Sequence, residues 1–206
     1  RKVADVVADD FVAGMQHALD CKGGLEYLVD GVIDGASEYI AGETTDFSKV
    51  GVKAVDDYTL EYTLTEPSVY FTSMLGYGLF APMSRTYYTS QGGKFGTEFN
   101  ESASDYNYGK SPDAIAYCGP YLITNFTSKN TIVFKANDSY WNKDNINIHT
   151  LTWVYTDESD DQKDYNKFVS GVVDSTGLTT TMLEMAKQDG NFDKYAYVSD
   201  ADATTY

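Results

Sequence analysis

Three features of the chain predict a mixed α/β fold. Residues 8–20 carry apolar side chains at helical spacing, residues 50–64 switch to strict alternation, and residues 119–155 add three strand-like runs behind a Gly-Pro turn. No internal repeat, coiled coil or low-complexity tract is present.

The first helix is predicted over 8–20. Phe11, Val12, Met15, Ala18 and Leu19 line one face, Asp9 or Asp10 caps the first turn, and Gly23-Gly24 stops it. A second helix is predicted from Leu25, with Leu28, Val29, Val32, Ile33, Ala36, Tyr39 and Ile40 on its stripe and Gly42 at its end. Gly31 and Gly35 work against it. Val50, Val52 and Ala54 then alternate with Gly51 and Lys53. Beyond an Asp56-Asp57 turn, Tyr58, Leu60, Tyr62 and Leu64 alternate with Thr59, Glu61 and Thr63, which predicts a β-hairpin with one buried face.

Pro67 ends that hairpin and opens a short helix carrying Val69, Tyr70, Phe71, Met74 and Leu75. Residues 76–82 read as a crossing segment, and Ser84 as the cap of a short helix through Tyr88. Residues 89–117, rich in Gly, Ser, Asn and Tyr, read as a long surface excursion. Past Gly119-Pro120, strands are predicted near 121–126, 131–136 and 147–155, the first two joined by a turn at Ser128-Lys129-Asn130. An acidic helix start follows at Asp157 to Asp164, then a short strand and turn at Gly171–Asp174. A helix from Thr179 to Lys187 turns Leu183 and Ala186 inward, and a last strand runs through Tyr195, Tyr197 and Ser199.

Composition narrows the function. Fifteen Lys and Arg against 31 Asp and Glu give a formal charge of −16, a field that repels phosphate backbones and so argues against nucleic-acid binding. No run of eighteen apolar residues suggests a membrane-spanning helix. The chain opens at Arg1 without a charged segment and apolar run of the secretory kind, which fits a mature or an excised piece. Cys21 and Cys118 form neither a disulfide scaffold nor a zinc motif, and read as two free thiols or one long-range bridge. His17 and His149 lack ligand-spaced partners, and no nucleophile elbow, zincin or phosphate-loop motif occurs.

The acidic run Asp157, Glu158, Asp160, Asp161, Asp164 lacks the central Gly and closing Glu of a calcium loop and reads as a solvated helix start. Asn100, Asn125 and Asn137 head glycosylation sequons by rule alone. Eighteen tyrosines suit half-buried strands and wet binding surfaces alike. Tyr140-Trp141 reads as a pair closing the end of a core, with an aromatic ligand platform as the alternative.

Several segments, in order, resemble the extracytoplasmic solute-binding proteins of oligopeptide and dipeptide ABC transporters (solute-binding family 5). They are Ala8-Asp9-Asp10-Phe11-Val12 with Ala18-Leu19-Asp20, Val50 to Leu64 with Glu66-Pro67 and Tyr70-Phe71, Gly119-Pro120-Tyr121, Asn137 to Trp141, and Gly171-Val172-Val173-Asp174. The chain departs from the family pattern at Ala13-Gly14-Met15, where aromatic residues are usual, and at Cys118, which stands in the place of an Asn.

The resemblance implies an interior part of the periplasmic-binding-protein type II fold. Residues 1–84 would be part of the small extra subdomain and residues 85–206 part of the first lobe. It implies a non-enzymatic protein without a cofactor, outside the cytoplasmic membrane as a periplasmic protein or bacterial surface lipoprotein. Short peptides and the ABC permease subunits would be its partners. Peptide contacts carry over thinly, to Tyr77 near the side-chain pockets and to Tyr27 near another aromatic contact. Alternatives are the same fold with another solute (nickel, haem, an oligosaccharide or an opine) or a secreted glycan-active or adhesion domain. The glycan-active version requires two carboxylates converging in a groove. An excised half would also expose apolar surface or an unpaired edge, which predicts self-association.

Overall fold

The computed structural model describes residues 2–157 and 162–198. They form two compact units, Arg1–Leu122 with Asn137–Ile146 and Ile123–Ala136 with Asn147–Tyr206.

Unit one is organised around helix α1 (Ala8–Cys21). Its first turn is rich in acceptors. Asp10, only 6% exposed, accepts the Val7 N–H on Oδ2 and the Arg85 N–H on Oδ1, each at 3.0 Å, while its backbone carbonyl accepts the Met83 N–H at 2.9 Å. Asp9 grips the Arg85 guanidinium through Nε at 2.6 Å and Nη2 at 3.0 Å. A carboxylate at the third helical position that takes the N-cap amide is half of a capping box. Asp10 thus supports the helix start, although Val7 rather than an aspartate is the cap residue.

The apolar stripe of α1 packs Met15 and Leu19 into a first core with Val29, Ile33, Val50 and Phe80. Each such side chain removed from water is worth about 1.5–3 kcal/mol. The roof of this core is the hairpin of β1 (Val52–Asp56) and β2 (Thr59–Tyr62), antiparallel with Val52 opposite Tyr62 and Ala54 opposite Leu60. Its turn is braced by Asp56, whose carboxylate accepts the Tyr58 N–H at 2.8 Å. The predicted hairpin is therefore present, but Tyr58 sits in the turn and is exposed rather than inward.

The helix predicted from Leu25 to Gly42 is broken. A one-turn 3-10 helix at Glu26–Leu28 leads through turns to α2 (Ala36–Ala41). Gly31 and Gly35 both take φ of 71°, a conformation a helix interior forbids. Ile33 instead bridges to Leu64, and Asp34 N–H donates to the Thr63 carbonyl. After Pro67 the helix α3 is short, Phe71–Met74, and the crossing segment contains a 3-10 turn at Gly78–Phe80.

A second core lies beyond it, and here the predicted surface excursion needs correction. Helix α4 (Arg85–Ser90), capped by Ser84 as expected, buries Tyr88 completely. Residues 91–117 fold back over it, so that Phe95, Phe99, Tyr106 and Tyr108 close on Tyr88, Met83 and Ala13 of α1. Gly93 lies flat against the Tyr88 ring, where a Cβ would come within 2.4 Å of it.

Unit two holds a three-stranded sheet in the order β3 (Tyr121–Thr127), β4 (Thr131–Ala136), β5 (Thr150–Val154). All three strands and the 128–130 turn match expectation. Phe134 contacts Trp153 diagonally across the β4–β5 ladder at 4.8 Å. Helices α5 (Lys163–Val169), α6 (Thr180–Gln188) and α7 (Asn191–Tyr195) pack Tyr165, Met182 and Ala186 together. The Tyr165 hydroxyl donates to Asp189 and accepts from Asn191. Two expectations fail here. Gly171–Asp174 is a turn and bends without a strand, and α7 occupies the start of the supposed last strand. Glu158, Asp160, Asp161 and Ser199 lie outside the described residues.

At Gly14 a Cβ would stand 2.5 Å from the Ala81 carbonyl oxygen, so α1 and the 81–83 segment meet backbone to backbone. Gly14→Ala is expected to lower stability by about 1–3 kcal/mol, the usual cost of overpacking, read from urea midpoints. An unchanged midpoint would contradict this close approach.

Candidate ligand-binding surface

Tyr27 and Tyr77 both stand on one-turn elements over the first core. Tyr27 is in the Glu26–Leu28 turn, 69% exposed, while its neighbours Leu28 and Val29 point into the core. Tyr77 precedes the Gly78–Phe80 turn, 44% exposed, between the core residues Met74 and Leu79. The backbone holds the second position firmly. The Tyr77 N–H donates to Met74 at 2.9 Å, and its carbonyl accepts from Phe80 at 3.0 Å. Neither ring makes an aromatic contact and neither hydroxyl a hydrogen bond among the described residues. Each is an amphipathic ring presented to water by an ordered turn.

A groove of about 510 Å³ lies elsewhere on unit one, lined by Asp34, Lys49, Lys53 and Glu61 around Val12 and Val52. The alternation of β1 and β2 foretells which faces are buried, but a groove formed where a helix, a turn and a hairpin meet leaves no mark in any one segment. Among the described residues no three or more His, Cys, Asp or Glu converge as a metal site. Cys21 and Cys118 are both free and exposed.

The Gly119-Pro120 and Asn137 motifs, 18 residues apart at Gly119 and Asn137, form one clamp. Asn137 is 6% exposed; its Nδ2 donates to the Gly119 carbonyl at 2.9 Å and its backbone N–H to Pro120 at 2.8 Å. Its Oδ1 accepts the Ser139 N–H at 3.0 Å, and its carbonyl accepts from Tyr140. A buried amide that satisfies both its donor and acceptor ends fixes a turn. That turn carries Trp141 outward, 83% exposed, with the Tyr140 ring 5.7 Å away. The pair therefore does not close a core, and Trp141 is a third outward aromatic on a rigid support.

Asn137→Ala is expected to cost about 1–3 kcal/mol, since it orphans the Gly119 carbonyl and the Ser139 amide. Trp141→Ala should stay within about 0.5 kcal/mol of the parent. Denaturant titration of both variants checks this, and a reversed order of losses would refute the clamp.

The model of the family described as bacterial extracellular solute-binding proteins, family 5 Middle, matches residues 4–206. The chain is 37% identical over 206 residues to the oligopeptide-binding protein SarA of Streptococcus gordonii, covering 100% of this chain and 29% of that protein. It is 38% identical over 187 residues to the oligopeptide-binding protein AmiA of Streptococcus pneumoniae, covering 91% and 27%. Among solved structures, Listeria monocytogenes OppA bound to peptide superposes with a TM-score of 0.68 at 26% identity, over 89% of this chain and 33% of that one. The chain thus spans less than a third of the length of these curated relatives. The mixed helix–strand architecture is that of OppA-type structures. No described helix is long and apolar enough to cross a membrane.

Proposed function

We infer a peptide carrier, because this chain belongs to the bacterial extracellular solute-binding proteins of family 5. The whole protein binds short peptides outside the cytoplasmic membrane and passes them to the permease subunits of an ABC importer, with no covalent chemistry. The observation that carries this reading is identity of 37% to an oligopeptide-binding protein along the entire chain.

Peptides of varied sequence are held through their common backbone and through wet side-chain pockets, where bridging waters replace tailored contacts. Ordered, outward aromatic rings suit such pockets because they offer large apolar area with little rotamer entropy to lose. Tyr27 and Tyr77 are proposed as two of these contacts. Residues 1–84 are assigned to part of the small extra subdomain and 85–206 to part of the first lobe. Within unit one, two cores support a division near residue 84, since the first is built from residues up to Phe80 and the second mainly from Met83 onward, with α1 serving both through Ala13 and His17.

A thermal-shift series on the whole protein, with separate pools of short peptides, oligosaccharides and metal ions, tests the reading. Peptides at a hundred times their dissociation constant should stabilise by about 2.7 kcal/mol. Tyr27→Ala and Tyr77→Ala should each weaken peptide affinity about tenfold, equivalent to about 1.4 kcal/mol, with the ligand-free melting temperature unchanged. Stabilisation by sugars or metals and not by peptides would overturn the ligand assignment.

A further inference from the structure

We propose that His17 is an acid-sensitive pin, holding α1 against the aromatic second core while neutral and loosening it when protonated. The geometry is a box of rings. Tyr88 lies 4.8 Å from the His17 imidazole, Phe99 5.7 Å and Tyr108 6.0 Å, centroid to centroid. Nδ1 is buried and has no hydrogen-bond partner among the described residues. A neutral imidazole fits such a box, whereas an imidazolium would carry an unsolvated N–H into it.

The ionisable groups around the box offer little compensation. Asp20, one turn along α1, already accepts the Tyr39 hydroxyl and the Gly96 N–H, each at 2.6 Å. Glu101 is exposed. From α4, Arg85 is committed to Asp9, and the Tyr88 hydroxyl donates to the Lys94 carbonyl at 2.9 Å. From the 106–110 stretch come the Tyr106 and Tyr108 hydroxyls, and Lys110, which lies over the Tyr106 ring. Burial accordingly holds the His17 pKa below its ordinary 6.5, with Asp20 and then Glu101 opposing. An opened or unfolded state keeps the ordinary value, so it takes up protons that the closed state refuses. Closure is therefore fully favoured above pH 6.5, weakens as pH falls from 6.5 towards the lowered folded value, and levels off below it.

The reporters are the Gly93 and Asn107 amides, bonded to the Tyr88 and Gln91 carbonyls. In the intact protein, their exchange corrected for intrinsic rates should quicken measurably as pH falls from 7.5 to 5.0. The Lys53 and Glu61 amides of the hairpin should not follow. His17→Phe should abolish the dependence, and His17→Gln serves if that variant does not fold. The His17 ring resonance of the unsubstituted protein should titrate below 6.5. Titration at or above 6.5, or reporter exchange that simply tracks intrinsic rates, overturns the proposal.

Discussion

Two neighbouring carboxylates carry the long-range architecture of unit one. Asp9 and Asp10 reach across 76 and 75 residues to Arg85, one through the guanidinium and the other through the backbone. Asp9 is partly exposed, so its ion pair is screened and contributes modestly. Asp10 is different, because it is buried and spends both oxygens on backbone amides. Without it, the Val7 and Arg85 N–H groups lose their carboxylate acceptor, and one of the ties between α4 and α1 is gone.

The small residues in the middle of α1 follow from the same constraint. A helix that serves two cores must let the chain between them pass close by. Ala13 and Gly14 are where it passes, the first fully buried in the second core and the second open to the Ala81 carbonyl. The small residues at these positions are thus a packing solution, with Tyr88 and its neighbours supplying the bulk from the other side.

Much of this was legible in the sequence, and the limits have physical causes. Period-two alternation marked β1 and β2, and the polar turn marked β3 and β4, because those signals are local. The helix expected from Leu25 failed because its stripe of Leu28, Val29, Val32 and Ile33 fits either a helix or a run of turns packed on one core. Gly31, Gly35 and the bridge from Ile33 to Leu64 decide between them. The second core was hidden in a Gly- and Tyr-rich stretch that has no periodicity of its own. For the proposed binding surface, sequence offered Tyr27 and Tyr77 only through family resemblance. The exposure of Trp141 ran against the ordinary expectation for a Tyr-Trp pair, since it depends on how Asn137 aims the turn.

The Asn137 clamp also bears on how the chain reaches this structure. It ties the two stems of the β3–β4 excursion, Gly119-Pro120 and Asn137, into a closed loop. Closing a loop of this length costs little entropy, and pairing two strands across a short turn takes on the order of microseconds. The junction of Asp10 with Arg85 joins points 75 residues apart and so raises the contact order of unit one. The clamp is therefore the local closure of the two, and the junction of α1 with α4 the one that depends on chain brought together from afar.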